Sequence, residues 1–465
     1  MAVKISRRNA LALCLAVGTG ALASAEATQV TANSRDAIAA LLAARIDAQH
    51  RGTGGLVSAV RARGSWTARH GVVARDAARG VGLDTPFQIA SLTKIFTALL
   101  LADAAMRGEI GLDDALDAHL QVSAPRFEGR AITLLHLATH TSGLPLRPPS
   151  RVGRSQDNPY SGYTAEDLRA DIAATTLTRA PGSAFEYSNF GFGLLGAALS
   201  ARFGVPYAQL LQQRILSPLG MRATTLTPSP QVLGRLIQGY MMDFTPAQHW
   251  ELGALDPAGG LFSTARDLRK FVALWTGRAN GPLEHAARSM FAVRRPGPDP
   301  ETQMALGWRA IERNGRTLGW SNGSGGGVRS YMAVAPNEEG VIAFANMQTG
   351  IGVDDIGLRV LDADAPVDVT PIPLRVPIAV PAAVLDRYVG RYAYARDDVA
   401  IVERDGDGLA LTSGPFRFRL LAETPTLFYM LEDNVTFEFQ APVDGQAASF
   451  VQTQAGQTYI YRREQ

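Results

Sequence analysis

Lysine is nearly absent from this chain of 465 residues: Lys and Arg together number 45, and only Lys4, Lys94 and Lys270 are lysines. Arg keeps its proton in a protein, whereas burial or a neighbouring charge can tune a Lys, so a Lys retained in an Arg-rich sequence is a candidate for proton chemistry. Lys94 ends the string Ser91-Leu92-Thr93-Lys94 and is followed by Ile95, Phe96, Ala98, Leu99, Leu100 and Leu101. A helix starting near Ser91 puts residues 91 and 94 on adjacent turns of one face, where hydroxyl and amine touch. Lowering a Lys pKa from about 10.4 to near 7 takes roughly 4 to 5 kcal/mol of differential solvation, which a buried apolar helix can supply. Such a Lys would activate Ser91 as a nucleophile. The plainer alternative makes Ser91 a helix cap and Lys94 a surface cation. Lys270 follows Asp267 in Thr264 to Thr276, an ordinary amphipathic helix pattern, and reads as a solvated charge.

Composition narrows the classes of function. With 46% hydrophobic and 19% charged residues the chain is globular, and its length calls for two or more domains. The net charge of +2 gives no large basic field, which argues against nucleic acid as a partner. No run of about 18 apolar residues occurs, so no stable membrane span is expected. Lys4, Arg7 and Arg8 precede the apolar stretch Ala10 to Val17, and Ala23-Ser24-Ala25 offers a small-residue cleavage site. Residues 1–25 therefore read as an export signal, and the compartment as periplasmic or secreted. The string SRRNAL from Ser6 to Leu11 resembles a twin-arginine signal with Ala10 where Phe is usual, which leaves the route open. Removing the signal leaves 42 basic against 43 acidic residues. It also removes Cys14, the one cysteine, so the nucleophile must be Ser, Thr, Lys or a carboxylate.

The elements that must position these residues are α/β in pattern over 29–361. Asp36 to Gln49 and Ala98 to Met106 read as helices, Leu56 to Val60 and Val341 to Ala345 as short apolar strands. Residues 362–381 carry Pro366, Pro371, Pro373, Pro377 and Pro381 and read as a linker. Over 382–465 the apolar period becomes two, as in Phe416, Phe418 and Leu420 or Val435, Phe437 and Phe439, with a turn at Asp405-Gly406-Asp407-Gly408. That predicts a small antiparallel barrel or sandwich without His or Lys.

Two further strings follow SLTK in a telling order: Tyr187-Ser188-Asn189 in PGSAFEYSNFGFGLLG, and Gly323-Ser324-Gly325-Gly326-Gly327 in WSNGSGGGVRSYMAVAP. With LLHLATHTSGLP (Leu134 to Pro145), PLGM (Pro218 to Met221), PAGGLFSTARDL (Pro257 to Leu268) and VIAFAN (Val341 to Asn346), the chain over about 30–350 resembles the serine β-lactamase and penicillin-binding family, in its class C-like branch. From about Pro381, with LDRYVGRY at Leu385 to Tyr392, it resembles the lipocalin-like domain appended to several D-peptide hydrolases and esterases of that family. The resemblance implies a β-lactamase/transpeptidase-like domain, an antiparallel sheet with flanking helices and a helical subdomain, followed by a small all-β barrel.

It also implies acyl transfer through a serine ester with no metal or cofactor. Ser91 would be the nucleophile, Lys94 and Tyr187 would share proton transfer, with Tyr187 preferred as donor to the leaving atom, and the general base stays open between them. Asn189 would hold the substrate amide and orient Lys94, and backbone N–H groups of Ser91 and Ser324 would face the oxyanion. The third motif departs from the family. Where Lys or His usually stands, this chain has Ser321-Asn322-Gly323, so the cation that meets a substrate carboxylate is missing from its usual place. Arg329 is the nearest following cation, and Asn346 a candidate neutral contact.

Other strings compete with this reading. Gly319-Trp320-Ser321-Asn322-Gly323 matches a nucleophile elbow, yet a strand-like VRSYMAVA follows and the last histidine is His285. Gly191-Phe192-Gly193-Leu194-Leu195-Gly196 matches a dinucleotide fingerprint, but no acid occurs from Ala197 to Met242, and helix packing is the better reading. His136 and His140 have the spacing of helical zinc ligands without a Glu after His136 or a third ligand, and read as structural. The expected function is an exported serine hydrolase acting on peptide, β-lactam or ester carbonyls, foremost a D-peptidase. The alternatives are a carboxylesterase of the same fold and a catalytically silent cell-wall scaffold. The partner is a small-molecule or peptide substrate, and oligomeric state is left open.

Overall fold

The computed structural model describes residues 32–464 except 121, 153–156, 278–280, 348–351, 373–374, 396–397, 414–415, 431–434, 441–444 and 455–456, so the expected export signal lies outside the described residues. Eight strands form the main sheet: Gly54–Arg61 (β1), Ser65–Gly71 (β2), Arg295–Pro296 (β3), Gln303–Met304 (β4), Arg309–Arg313 (β5), Arg316–Gly325 (β6), Val328–Ala335 (β7) and Glu339–Ala345 (β8). Their order is β2-β1-β8-β7-β6-β5-β4-β3, every pair antiparallel. The central strands alternate between two apolar cores. Leu56, Val60, Met332, Val334, Ile342 and Phe344 join one, and Val57, Ala59, Tyr331, Ala333, Val341 and Ala343 join the other. Burial on both faces makes such strands read as unbroken apolar runs, which is why Leu56 to Val60 and Val341 to Ala345 stood out.

Helices cover both faces. Arg35–Ala43 (α1) and Asp354–Leu361 (α5) supply Ile38, Leu42, Ile356 and Val360 to the second core. Thr93–Met106 (α2), Asn189–Phe203 (α3) and Ala265–Val272 (α4) pack into the first. Every residue of α2 from Thr93 to Ala104 is buried, which makes it the core helix of this layer, apolar on most of its surface with Lys94 and Asp103 as buried exceptions.

The glycines of the apparent dinucleotide fingerprint lie inside α3 and serve close packing. A Cβ at Gly193 would fall 2.4 Å from Leu255, and one at Gly196 2.1 Å from Pro257. Their absence lets the segment Leu255 to Gly259 press against α3.

The described residues form two compact units, one ending at Pro371 and the other starting at Ile372. In the first, Gln49 donates to the carbonyls of Asp368 (3.0 Å) and Thr370 (2.9 Å), tying the start of the proline-rich stretch to that unit. The second is a closed barrel of eight antiparallel strands, sealed where Gly390–Ala395 pairs with Gln457–Arg463. Tyr392, Phe428, Phe437, Phe439 and Phe450 are buried in its core, with Phe437 and Phe439 on the period-two positions of the sequence.

Gly196→Val should force Leu255 to Gly259 away from α3. Overpacking of this kind costs about 1–3 kcal/mol, to be read as a lower denaturation midpoint in urea.

Candidate active site

Ser91 lies two residues before α2, in the 3-10 turn Ala90–Leu92, and not in the helix itself. Ala90 has φ +48°, a left-handed conformation uncommon outside glycine. Neighbours hold the turn in place: Thr93 Oγ1 donates to the Ala90 carbonyl (2.7 Å), and Ile89 N to the Leu261 carbonyl (2.9 Å). Ser330 Oγ on β7 donates to the Ile89 carbonyl at 2.9 Å. A Cβ at Gly323 would sit 2.4 Å from that carbonyl and 3.0 Å from Ser91 N. Glycine at this point of β6 is therefore what lets the strand close on the Ser91 turn.

Lys94 is 2% exposed. Its Nζ contacts Asn189 Oδ1 at 2.7 Å, the Ala258 carbonyl at 2.6 Å and Ser91 Oγ at 3.2 Å. The two shorter partners are carbonyl-type acceptors, while the hydroxyl can also donate. A neutral Lys94 can thus keep one proton on each carbonyl and turn its lone pair to Ser91. Burial pushes the ammonium below its ordinary value of 10.5, Tyr187 partly opposes this, and Arg309 reinforces it. Burial alone would raise the Tyr187 phenol. The charge of Lys94, hydrogen bonds to Lys94 and Ser91, and the charge of Arg309 outweigh that and leave it below 10.0. Lys94 Nζ also stands 4.9 Å from the Tyr187 ring centroid. The two groups are close enough to titrate as a pair.

Residues His140 to Leu146 cradle the Tyr187-Ser188-Asn189 string. The His140 carbonyl accepts from Glu186 N (2.7 Å), His140 Nδ1 accepts from Ser188 N (3.0 Å), and the Leu146 carbonyl accepts from Asn189 N (2.9 Å). Ser188 caps α3 through Gly191 N at 2.8 Å and donates to the Pro145 carbonyl at 2.7 Å. The His140 ring packs on Tyr187 with centroids 4.4 Å apart, and burial, with Lys94 and Arg309 nearby, holds its pKa well down. His136 Nδ1 accepts from Thr133 N at 3.1 Å, so each of the two histidines spends a ring nitrogen on a backbone amide. Asn189, besides holding Lys94, donates to the Tyr160 hydroxyl at 2.8 Å.

A cleft of about 300 Å³ opens over Ser91, lined also by Tyr187, Asn189, Asn322, Ser324 and Arg309. Ser321, 6% exposed in the interior of β6 opposite Met332, is not at a strand-to-helix elbow and does not line it. Arg329 and Asn346 do not supply the contacts considered for them. The Arg329 guanidinium is paired with Asp354, which also accepts from Asn322 Nδ2 at 2.7 Å. Asn346 is fully buried: its Oδ1 accepts from Thr53 N and Gly54 N, and its Nδ2 donates to Thr53 Oγ1 and the Gln238 carbonyl. One cation that does line the cleft is Arg309, paired in register with Trp320 and with its guanidinium 5.8 Å from the Tyr187 ring centroid. Sequence reasoning missed it, because it stands on the strand before the third motif and no string marks it.

Comparison with known proteins shows the family. The family model described as Beta-lactamase matches residues 35–365. The chain belongs to the beta-lactamase family. Among members of the family, it is 31% identical over 294 residues to the D-alanyl-D-alanine-carboxypeptidase/endopeptidase AmpH of Escherichia coli K12, covering 58% of this chain and 75% of that protein. It is 30% identical over 291 residues to esterase EstB of Burkholderia gladioli, covering 54% and 73%. The structure of a beta-lactamase/D-alanine carboxypeptidase from Yersinia pestis is 26% identical with a TM-score of 0.59, covering 67% of this chain and 92% of that one. This protein is accordingly a beta-lactamase-family hydrolase with a further closed barrel.

Asp256 opens the short helix whose Ala258 carbonyl meets Lys94, and burial raises its pKa from 3.8 to about 6. A carboxyl raised on folding contributes stability fully below the unfolded value, and that contribution is lost as pH rises through about 6. Asp256→Asn keeps the shape without the charge. It should be more stable than wild type by on the order of 2–3 kcal/mol at pH 8 and nearly equal to it at pH 3.5, as read from denaturant midpoints.

Proposed function

We propose that the protein is an exported serine hydrolase that forms an acyl-enzyme at Ser91, foremost a D-peptidase acting on peptides with a free terminal carboxylate. One observation carries the reading: Ser91, Lys94 and Tyr187 converge at a cleft that also contains Arg309. Ser91 Oγ attacks the carbonyl carbon as its proton passes to the Lys94–Tyr187 pair. Tyr187 then gives a proton to the leaving nitrogen as the C–N bond breaks. Water repeats the sequence on the ester, losing a proton to the pair while Ser91 Oγ regains one. Backbone N–H groups of Ser91 and Ser324 face the oxyanion, and Asn189, Asn322 and Ser324 hold the substrate. Arg309 stands on the Tyr187 side of the cleft, where a leaving amino acid would present its carboxylate. In this reading residues 1–25 direct export to the periplasm or medium, 29–361 is the catalytic domain, 362–381 the connecting segment and 382–465 a lipocalin-like accessory domain.

A carboxylesterase is the second reading, favoured by Ser321 in the third motif and by the likeness to EstB. Arg309 separates the two. Arg309→Gln should lower kcat/KM for a D-Ala-D-Ala peptide about 10–100-fold relative to the peptide amide, the worth of a charge-assisted contact, whereas an esterase would lose little on neutral esters.

Acylation itself is tested by labelling with a fluorescent penicillin and a fluorophosphonate. Wild type and Ser321→Ala should label and Ser91→Ala should not. Loss only in Ser321→Ala would move the nucleophile, and failure of both probes on wild type would favour a silent scaffold.

A further inference from the structure

The cleft is lined by a second arginine, Arg147, which stands by a different ring from Arg309. Arg147 follows Leu146, whose carbonyl accepts from Asn189 N, so its backbone is fixed relative to the Tyr187-Ser188-Asn189 string. Its guanidinium lies 5.8 Å from the centroid of Tyr160, the ring whose hydroxyl accepts from Asn189 Nδ2. Arg309 stands instead by Tyr187 and lies 4.8 Å from the centroid of Trp320. Two permanent cations therefore bracket the nucleophile, one on the Asn189–Tyr160 side and one on the Tyr187 side.

The reaction assigns these sides. Tyr187 delivers a proton to the leaving atom, so the leaving group occupies its side, and the acyl portion occupies the side of Asn189 and Tyr160. Trp250 lines the cleft too, its ring 6.1 Å from Tyr160 and edge-on to it. Aromatic walls exclude water and strengthen a charge pair formed there. We propose that Arg147 is a specificity-determining residue that selects acyl donors carrying a carboxylate on the acyl side of the scissile carbonyl. This rests on the acyl-enzyme reading above and goes further, since it makes the preferred peptide substrate anionic at both ends of the reacting segment.

Two matched pairs test it on the full chain. Benzylpenicillin and α-carboxybenzylpenicillin differ by one carboxylate on the acyl side, and p-nitrophenyl butyrate and p-nitrophenyl hemisuccinate provide the same contrast without a lactam. Second-order acylation rates, followed as mass adducts on the Ser91 peptide, should favour the carboxylated member about tenfold in wild type. Arg147→Gln should abolish the preference and Arg147→Lys should keep part of it. Arg309→Gln should slow both penicillins alike and leave their ratio in place. If Arg147→Gln does not fold, added salt should erode the wild-type preference. Equal rates within both pairs in wild type overturn the proposal, as does a preference that survives in Arg147→Gln. If Arg147→Gln slows both members equally, Arg147 merely props Tyr160 and the proposal fails. No adduct from any of the four compounds would instead bring down the acyl-enzyme reading itself.

Discussion

A buried ammonium group with three oxygen contacts is the constraint on which the rest of this structure depends. Lys94 is sealed in a core helix, and its nitrogen meets Asn189, Ala258 and Ser91 beside the Tyr187 phenol. Each contact comes from a different segment, so the arrangement exists only once the start of α3, the turn after Leu255 and the turn before α2 have all docked. Desolvation makes the charged form of Lys94 costly, and the fixed carbonyls decide where its remaining protons point. The chemistry proposed for Ser91 thus rests on packing rather than on any property of the two side chains alone.

That packing is specified by residues without side-chain chemistry. Gly193 and Gly196 admit the chain segment that carries the Ala258 carbonyl, and Gly323 admits β6 to the Ser91 turn. Ser188, Thr93 and Ser330 spend their hydroxyls on backbone groups, fixing the loops that present Asn189 and Ser91. Small residues set the approach distances, and short hydrogen bonds then hold what the approach creates.

Much of this was legible in the sequence, for physical reasons. Lys94 stood out because lysine is scarce and an apolar helix follows it, and Tyr187 and Asn189 because their string follows SLTK in the order that the resemblance to the serine β-lactamase and penicillin-binding family implies. The eight-stranded sheet was readable only at its doubly buried strands. Its outer strands β3 and β4 are two residues long each and leave no periodicity to read. Arg309 escaped because its place is set by the register that pairs it with Trp320, a property of two strands that no single string encodes. Arg329 and Asn346 looked suitable for the converse reason. Proximity in sequence to the third motif does not reveal that Asp354 and Thr53 already hold them. Ser91 falls short of the helix start because it sits in a 3-10 turn that opens on the left-handed Ala90, a local geometry that Ala does not advertise.

The C-terminal barrel carries a consequence of its closure. Among the described residues, each of its eight strands has a partner on both sides, which leaves no unpaired edge strand for an extended peptide to join. Its interior is occupied by packed aromatic rings. Among the described residues, what this barrel presents outward is therefore the side chains of its rim and outer wall.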